Sequence, residues 1–257
     1  MNRSSTTKFV VVTGAGSGIG RATAKVLAKQ GYFLVLLGRH LPTLGKTRNS
    51  LDHPANHQCF SCDIREPENI RRALVKSGIK SLYAVVANAG VGGENHHGKG
   101  DRWQEVLDIN LSGGYHTAQE CLPYLRKKRN GYAKIVFISS ILARIGVPGY
   151  SAYCASKAGL LGLMRSLAAE LTKEKILVNA ICPGWVDTHM AREGLRGFAE
   201  ALSISEKEAY NNAMQQVPLG KMSEPEEVAN MVAFLVSEEQ CSITGQSLDI
   251  NNGALMP

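Results

Sequence analysis

No stretch of this 257-residue chain approaches the roughly 18 consecutive apolar residues that a membrane-spanning helix needs, so a membrane protein is not expected. The first eight residues, Met1 to Lys8, lack the apolar core of a secretory leader, and a cytoplasmic location follows as the expectation. Cysteines stand at only six positions, 59, 62, 121, 154, 182 and 241, mostly among apolar or small residues, which reads as reduced, packed thiols. Cys59 and Cys62 form a Cys-x-x-Cys, but no second pair or spaced histidines accompany it, so no metal site is expected. His96 and His97 lie in a glycine-rich loop, Gly92 to Gly100, where two adjacent histidines rarely ligate one metal, and read as solvated. Acidic residues are the scarcer sign, 22 against 29 basic ones, for a net charge of +7. The basic residues are dispersed and no recognition motif accompanies them, which speaks against nucleic acid; the balance suits an acidic partner.

What the chain does contain is a globular composition, 44% hydrophobic and 20% charged, at a length that buries one large core. Apolar β-rich runs at 9–13, 33–38, 57–62, 82–88, 134–140, 176–182 and 246–250 alternate with helical stretches at 19–30, 42–51, 67–77, 101–128, 150–173 and 224–237. Runs apolar throughout, such as Leu82 to Ala87, suit strands covered on both faces. The alternation predicts an α/β fold: a doubly wound, seven-stranded parallel sheet with helices on both faces, in one domain spanning 1–257. Residues 189–218 break the rhythm and read as an insertion of weakly amphipathic helices. Gly14, Asp63, Asn88, Ser140 and Pro183 all fall at or just after strand ends, where such sheets bind ligands.

Two motifs carry chemistry. After the apolar run Phe9 to Val12 comes Thr13-Gly14-Ala15-Gly16-Ser17-Gly18-Ile19-Gly20 and then a helical stretch. A strand, a glycine turn and a helix N-terminus make an anion site, because unpaired N–H groups and the positive end of the helix dipole face the phosphates. Tyr153 and Lys157 stand four residues apart, on one face of a helix, with Ser140 thirteen residues upstream. A cation beside a phenol favours the phenolate and lowers its pKa, which suits proton exchange with an alcohol or carbonyl oxygen.

Together these motifs resemble the short-chain dehydrogenase/reductase family from about residue 8 to the C-terminus. Its Thr-Gly-x-x-x-Gly-x-Gly appears as Thr13 to Gly20, its Asn-Ala-Gly as Asn88-Ala89-Gly90, its helical asparagine as Asn110, its serine as Ser140 and its Tyr-x-x-x-Lys as Tyr153 and Lys157. The resemblance implies a Rossmann fold and hydride transfer between a nicotinamide cofactor and a carbonyl or secondary alcohol. It implies Tyr153 as proton donor and acceptor, Lys157 lowering its pKa and holding the nicotinamide ribose, Ser140 orienting the substrate oxygen, and Asn110 placing a relay water. Further cofactor contacts are implied at Gly14, Ser17, Gly18, Ile19 and Gly20 in the turn, at Asp63 and Ile64, at Asn88, Ala89 and Gly90, and at Pro183, Gly184, Val186 and Thr188. Two departures from the pattern stand at Ala87 and at Asn251-Asn252-Gly253.

NAD-preferring members carry an acid eighteen residues after the last glycine of the turn; here that position is Gly38 and Arg39 follows, which favours NADP(H). No second basic residue sits in the turn, where Ser17 stands, and NAD(H) stays open. The C-terminal half is similar to 3-oxoacyl-carrier-protein and polyketide-type ketoreductases. That similarity implies an acyl thioester or other small carbonyl substrate, with an acyl carrier protein docking at Arg126-Lys127-Lys128-Arg129, a run that reads equally as a solvated helix end. An NAD-dependent hydroxyacid or sugar-alcohol dehydrogenase is the alternative, and a non-catalytic cofactor-binding scaffold the remote one. The family implies a homotetramer and gives the 189–218 insertion the task of covering the substrate. Ala155, Ala158, Gly159 and Gly162 would permit close helix approach between subunits or within one.

Overall fold

The computed structural model describes residues 7–96, 98–127 and 131–256. His97, Lys128 and Arg129, named above in the histidine pair and the basic run, lie outside them, as do Met1 to Thr6.

Seven strands form one parallel sheet: β1 (Phe9–Thr13), β2 (Phe33–Gly38), β3 (Gln58–Ser61), β4 (Ala84–Ala87), β5 (Ala133–Ile138), β6 (Ile176–Pro183) and β7 (Ser247–Ile250). Their order is β3-β2-β1-β4-β5-β6-β7, so the winding reverses between β1 and β4 and opens a crevice beyond their carboxyl ends. Alternating side chains feed two cores. Val11, Val35 and Leu37 pack under the helices α3 (Pro67–Ser77), α5 (Gly113–Leu125) and α6 (Ser151–Leu171). Val10, Val12, Leu34 and Leu36 pack under α1 (Gly18–Lys29), α2 (Leu41–Asn49) and α9 (Pro225–Val236). The strand and helix periodicities thus yield the expected doubly wound sheet. Among the described residues no helix is long and apolar enough to cross a membrane.

The helix expected over 101–128 is not continuous. It comprises α4 (Trp103–Leu107), a π-helical turn at Asp108–Ser112, and then α5. The wider turn carries Asn110, and α5 begins at Gly113, where a Cβ would meet Ile64 Cδ1 at 2.5 Å. The 189–218 segment folds as α7 (His189–Leu202) and α8 (Glu206–Gln215), capped by Thr188 and by a Ser205/Glu208 capping box. Leu195, Met214, Val217 and Met222 give it a small apolar core of its own.

Candidate active site

The glycine turn is built by close approach. Gly14 and Gly18 hold φ of 65° and 48°, and a Cβ on Gly20 would stand 2.3 Å from the Gly14 carbonyl oxygen and 2.5 Å from Asn88 Nδ2. Asn88 Nδ2 donates to the Thr13 carbonyl at 2.9 Å, while Thr13 Oγ1 accepts the N–H groups of Asn88 and Ala89, each at 3.0 Å. Strand ends β1 and β4 are thereby locked together beside the first turn of α1. No side chain caps α1 at Ser17, so its first N–H groups are left to an anion. This bare backbone cradle, too tight for any side chain, fits a dinucleotide pyrophosphate.

Deeper in the crevice Tyr153 and Lys157 project from one face of α6, and Ser140 follows β5. Ser140 Oγ accepts the Leu142 N–H at 3.1 Å and lies near enough to the Tyr153 phenol to favour its ionised form. Lys157 is buried; its Nζ donates to the Ile138 carbonyl at 3.0 Å and lies 5.5 Å from the centre of the Tyr153 ring. Ser139, one residue off the spacing, points the other way and donates to the Lys157 carbonyl at 2.9 Å. Gly90 lies against this floor: its Cβ would come within 3.3 Å of Lys157 Nζ and 3.0 Å of Asn110 Oδ1.

The electrostatics correct one expectation. Burial pushes the Tyr153 phenol up to about 12, opposed by the nearby Ser140 hydroxyl, and lowers the Lys157 ammonium to about 8. The phenol is not lowered, because Lys157 shares its cost of burial and directs its ammonium to the Ile138 carbonyl. Asn110 turns its side chain toward the loop after Gly90. Its carboxamide accepts the Val91 N–H at 2.8 Å and donates to the Val91 carbonyl at 2.9 Å and to Ser156 Oγ at 3.1 Å, so the side chain braces a loop.

Of the remaining residues, Arg39 is exposed just past β2, and Thr188 packs against the turn, its Cγ2 3.2 Å from where a Gly18 Cβ would be. Pro183 ends β6, and Gly184 is crowded by Asn251, 3.0 Å from its would-be Cβ. Asn251 and Asn252 close their turn with side-chain bonds to the Leu255 and Lys221 carbonyls. The side chains of Ile64 and Val186 are buried in the two cores, so only their backbone borders the crevice. Asp63 is already engaged by Arg65. Among the described residues no His/Cys/Asp/Glu group could hold a metal, and Cys59 and Cys62 are free thiols.

A family model described as Enoyl-(Acyl carrier protein) reductase matches residues 14–254. The chain belongs to the short-chain dehydrogenase/reductase family. Its relatives include the 3-oxoacyl-(acyl-carrier-protein) reductases FabG of Rickettsia felis, 34% identical over 98% of both chains, and of Escherichia coli K12, 33% identical over 97% of this chain and 98% of that one. An actinorhodin polyketide ketoreductase variant crystallised with NADPH superimposes with a TM-score of 0.90 at 30% identity, covering 96% of this chain and 97% of that one. The aldohexose dehydrogenase of Thermoplasma acidophilum gives a TM-score of 0.84 at 28% identity, covering 96% and 94%. As a short-chain dehydrogenase/reductase the protein is an oxidoreductase acting between carbonyl and alcohol.

Several residues that shape this reductase site carry no motif. Arg21 ties the turn to α2, donating from Nε to Thr47 Oγ1 at 3.1 Å and from Nη2 to the Gly16 carbonyl. Asn95 links two loops at the mouth, its N–H donating to the Gly149 carbonyl at 2.6 Å and its Oδ1 accepting the Arg102 N–H at 2.7 Å. Met190 reaches from α7 over Gly92, 3.1 Å from where that glycine's Cβ would be, on the Tyr153 side. The only sequence signal for Arg21 was its place directly after Gly20, and for Met190 its place in the 189–218 insertion; Asn95 had none.

Proposed function

We propose that the chain is an NADPH-dependent 3-oxoacyl ketoreductase working on acyl thioesters, in a single Rossmann domain spanning 1–257. The observation that carries this reading is the Lys157 ammonium, buried 5.5 Å from the centre of the Tyr153 ring on the same helix face, beside the bare glycine cradle. The FabG relatives and the NADPH-bound ketoreductase support the substrate class and the cofactor.

The cofactor, when bound, supplies a hydride to the carbonyl carbon. Ser17, Gly18, Ile19 and Gly20 would hold its pyrophosphate through backbone N–H groups, with Gly14 giving the turn its shape. Arg39 would take the 2′-phosphate, Asp63 and Ile64 would border the adenine, and Asn88, Ala89 and Gly90 would floor the cofactor between them and Lys157. Pro183, Gly184, Val186 and Thr188 would receive the carboxamide. Tyr153 gives its phenolic proton to the substrate oxygen, and its raised pKa keeps that proton in place at neutral pH. Ser140 Oγ accepts the Leu142 N–H, which leaves its own hydrogen to donate to the same oxygen. Lys157 holds the nicotinamide ribose. Asn110 acts through Val91, fixing the loop that follows Gly90.

The α7–α8 insertion covers the substrate, with Met190 and the Tyr153 ring both reaching Gly92. A carrier protein would meet Lys127, since Arg126 is held by Glu174 at 2.5 and 2.8 Å. A cytoplasmic homotetramer completes the reading. In it Gly162, whose would-be Cβ meets nothing within 4 Å, serves contact between subunits, whereas Gly159 is filled by the chain's own Leu111 at 2.9 Å.

The test is a screen with NADPH over 3-oxoacyl thioesters, 2- and 3-oxo acids, cyclic ketones and sugars. Turnover confined to thioesters supports the reading, and turnover of sugars alone replaces it with reduction of a sugar carbonyl, the reverse of a sugar-alcohol dehydrogenase.

A further inference from the structure

Arg39 and Asp63 close two neighbouring strands. In the β2–β3 register Gly38 lies opposite Ser61, the Cys62 N–H donates to the Gly38 carbonyl at 2.9 Å, and Ser61 Oγ donates to the Arg39 carbonyl at 3.0 Å. A carboxylate therefore stands at the same sheet edge as the guanidinium assigned to the 2′-phosphate. Left open, it would oppose that phosphate twice, by drawing Arg39 into an ion pair and by repelling a second anion.

Arg65 closes it. Its Nε donates to both Asp63 oxygens at 3.1 Å, its Nη2 to Oδ2 at 2.6 Å, and its backbone N–H to Oδ1 at 3.0 Å. The fork is bidentate and sits on a partly exposed loop, where a lysine could not reproduce the geometry. Among the described residues the Arg39 guanidinium makes no hydrogen bond or ion pair of its own. The carboxyl of Asp63 is held below its usual range chiefly by the hydrogen bonds from Arg65, with Arg39 a smaller contributor, so both cations feel the same anion.

We propose that Arg65 is a specificity-determining residue for NADPH, acting by neutralising Asp63 so that Arg39 stays available to the 2′-phosphate. The proposal rests on the NADP(H) reading above and adds to it a residue two positions beyond the adenine-side acid. It requires no direct contact between Arg65 and the cofactor.

Binding of NADPH and NADH, titrated separately by fluorescence without substrate, tests it. Wild-type protein that binds NADH as tightly as NADPH overturns the NADP(H) reading before any variant is made, and this inference with it. With NADPH preferred, Arg65→Gln is expected to weaken NADPH roughly tenfold while NADH stays within about twofold, the gap narrowing as salt is raised. The double variant Asp63→Asn with Arg65→Gln removes the unmasked carboxylate and returns the NADPH:NADH ratio to near the wild-type value. An equal loss for both cofactors, no loss, or a double variant as poor as Arg65→Gln overturns the inference and leaves the NADP(H) reading standing. Should Arg65→Gln fail to fold, Asp63→Asn alone decides: it raises the NADPH:NADH ratio if the inference holds, and an unchanged or lowered ratio overturns it.

Discussion

The carboxamide of Asn110 holds both backbone groups of Val91, accepting its N–H at 2.8 Å and donating to its carbonyl at 2.9 Å. The π-helical turn that carries Asn110 and the loop that follows Gly90 are thus one rigid unit, and that unit forms the floor on which Lys157 lies. Asn110→Ala strips three hydrogen bonds from a buried site, counting that to Ser156, and leaves the Val91 groups unpaired. The expected cost is about 2–4 kcal/mol in urea denaturation, with kcat falling further than NADPH affinity. A variant as stable as wild type would show that the brace carries no weight.

Tyr153→Phe keeps the ring and its packing and removes only the hydroxyl that Ser140 influences. Carbonyl reduction is expected to fall by about 10²–10⁴-fold while NADPH binding changes less than about twofold. Retention of a tenth of wild-type turnover would assign the proton to another group.

The difference between these two residues marks what was readable from sequence. Tyr153 and Lys157 are legible because a helix brings i and i+4 together whatever surrounds it. All seven strands are legible because β-rich apolar runs bounded by breakers recur through the chain, and each observed strand overlaps its expected run. The π-turn at Asp108–Ser112 is not legible, since one extra residue in a turn hardly disturbs a 3.6-residue pattern. The direction of the Tyr153 shift also escapes the sequence. A neighbouring lysine can be counted in advance, but burial cannot, and here burial is the larger effect. Ile64 and Val186 sit at the right strand ends, yet which way a side chain turns after a strand depends on neighbours such as Gly113 and Ser223.

Gly20→Ala tests the cradle. The added methyl would stand 2.3 Å from the Gly14 carbonyl oxygen, a backbone atom locked by the Thr13–Asn88 hydrogen bonds. Forcing α1 away from β1 is expected to cost about 1–3 kcal/mol and to abolish measurable NADPH binding. Calorimetry reads both, and a variant that binds NADPH normally would move the pyrophosphate elsewhere.

Lys157 sets the pH dependence. Its ammonium is lowered from an ordinary 10.5 to about 8 by burial, so between those values the unfolded chain holds a proton that the native protein has lost. Stability from this group therefore rises with pH across that window and is lost as pH falls through about 8. Tyr153 acts in the opposite sense at higher pH: raised from 10 to about 12, it withdraws stability as pH climbs between the two. Activity follows Lys157 first. Since the phenol keeps its proton throughout, kcat/KM for NADPH in carbonyl reduction is expected to decline above about pH 8, when the ammonium that would hold the ribose becomes neutral. Lys157→Arg, whose cation does not titrate, should lower the rate at neutral pH but flatten that limb. A limb persisting near pH 8 in the arginine variant would assign it to a different group.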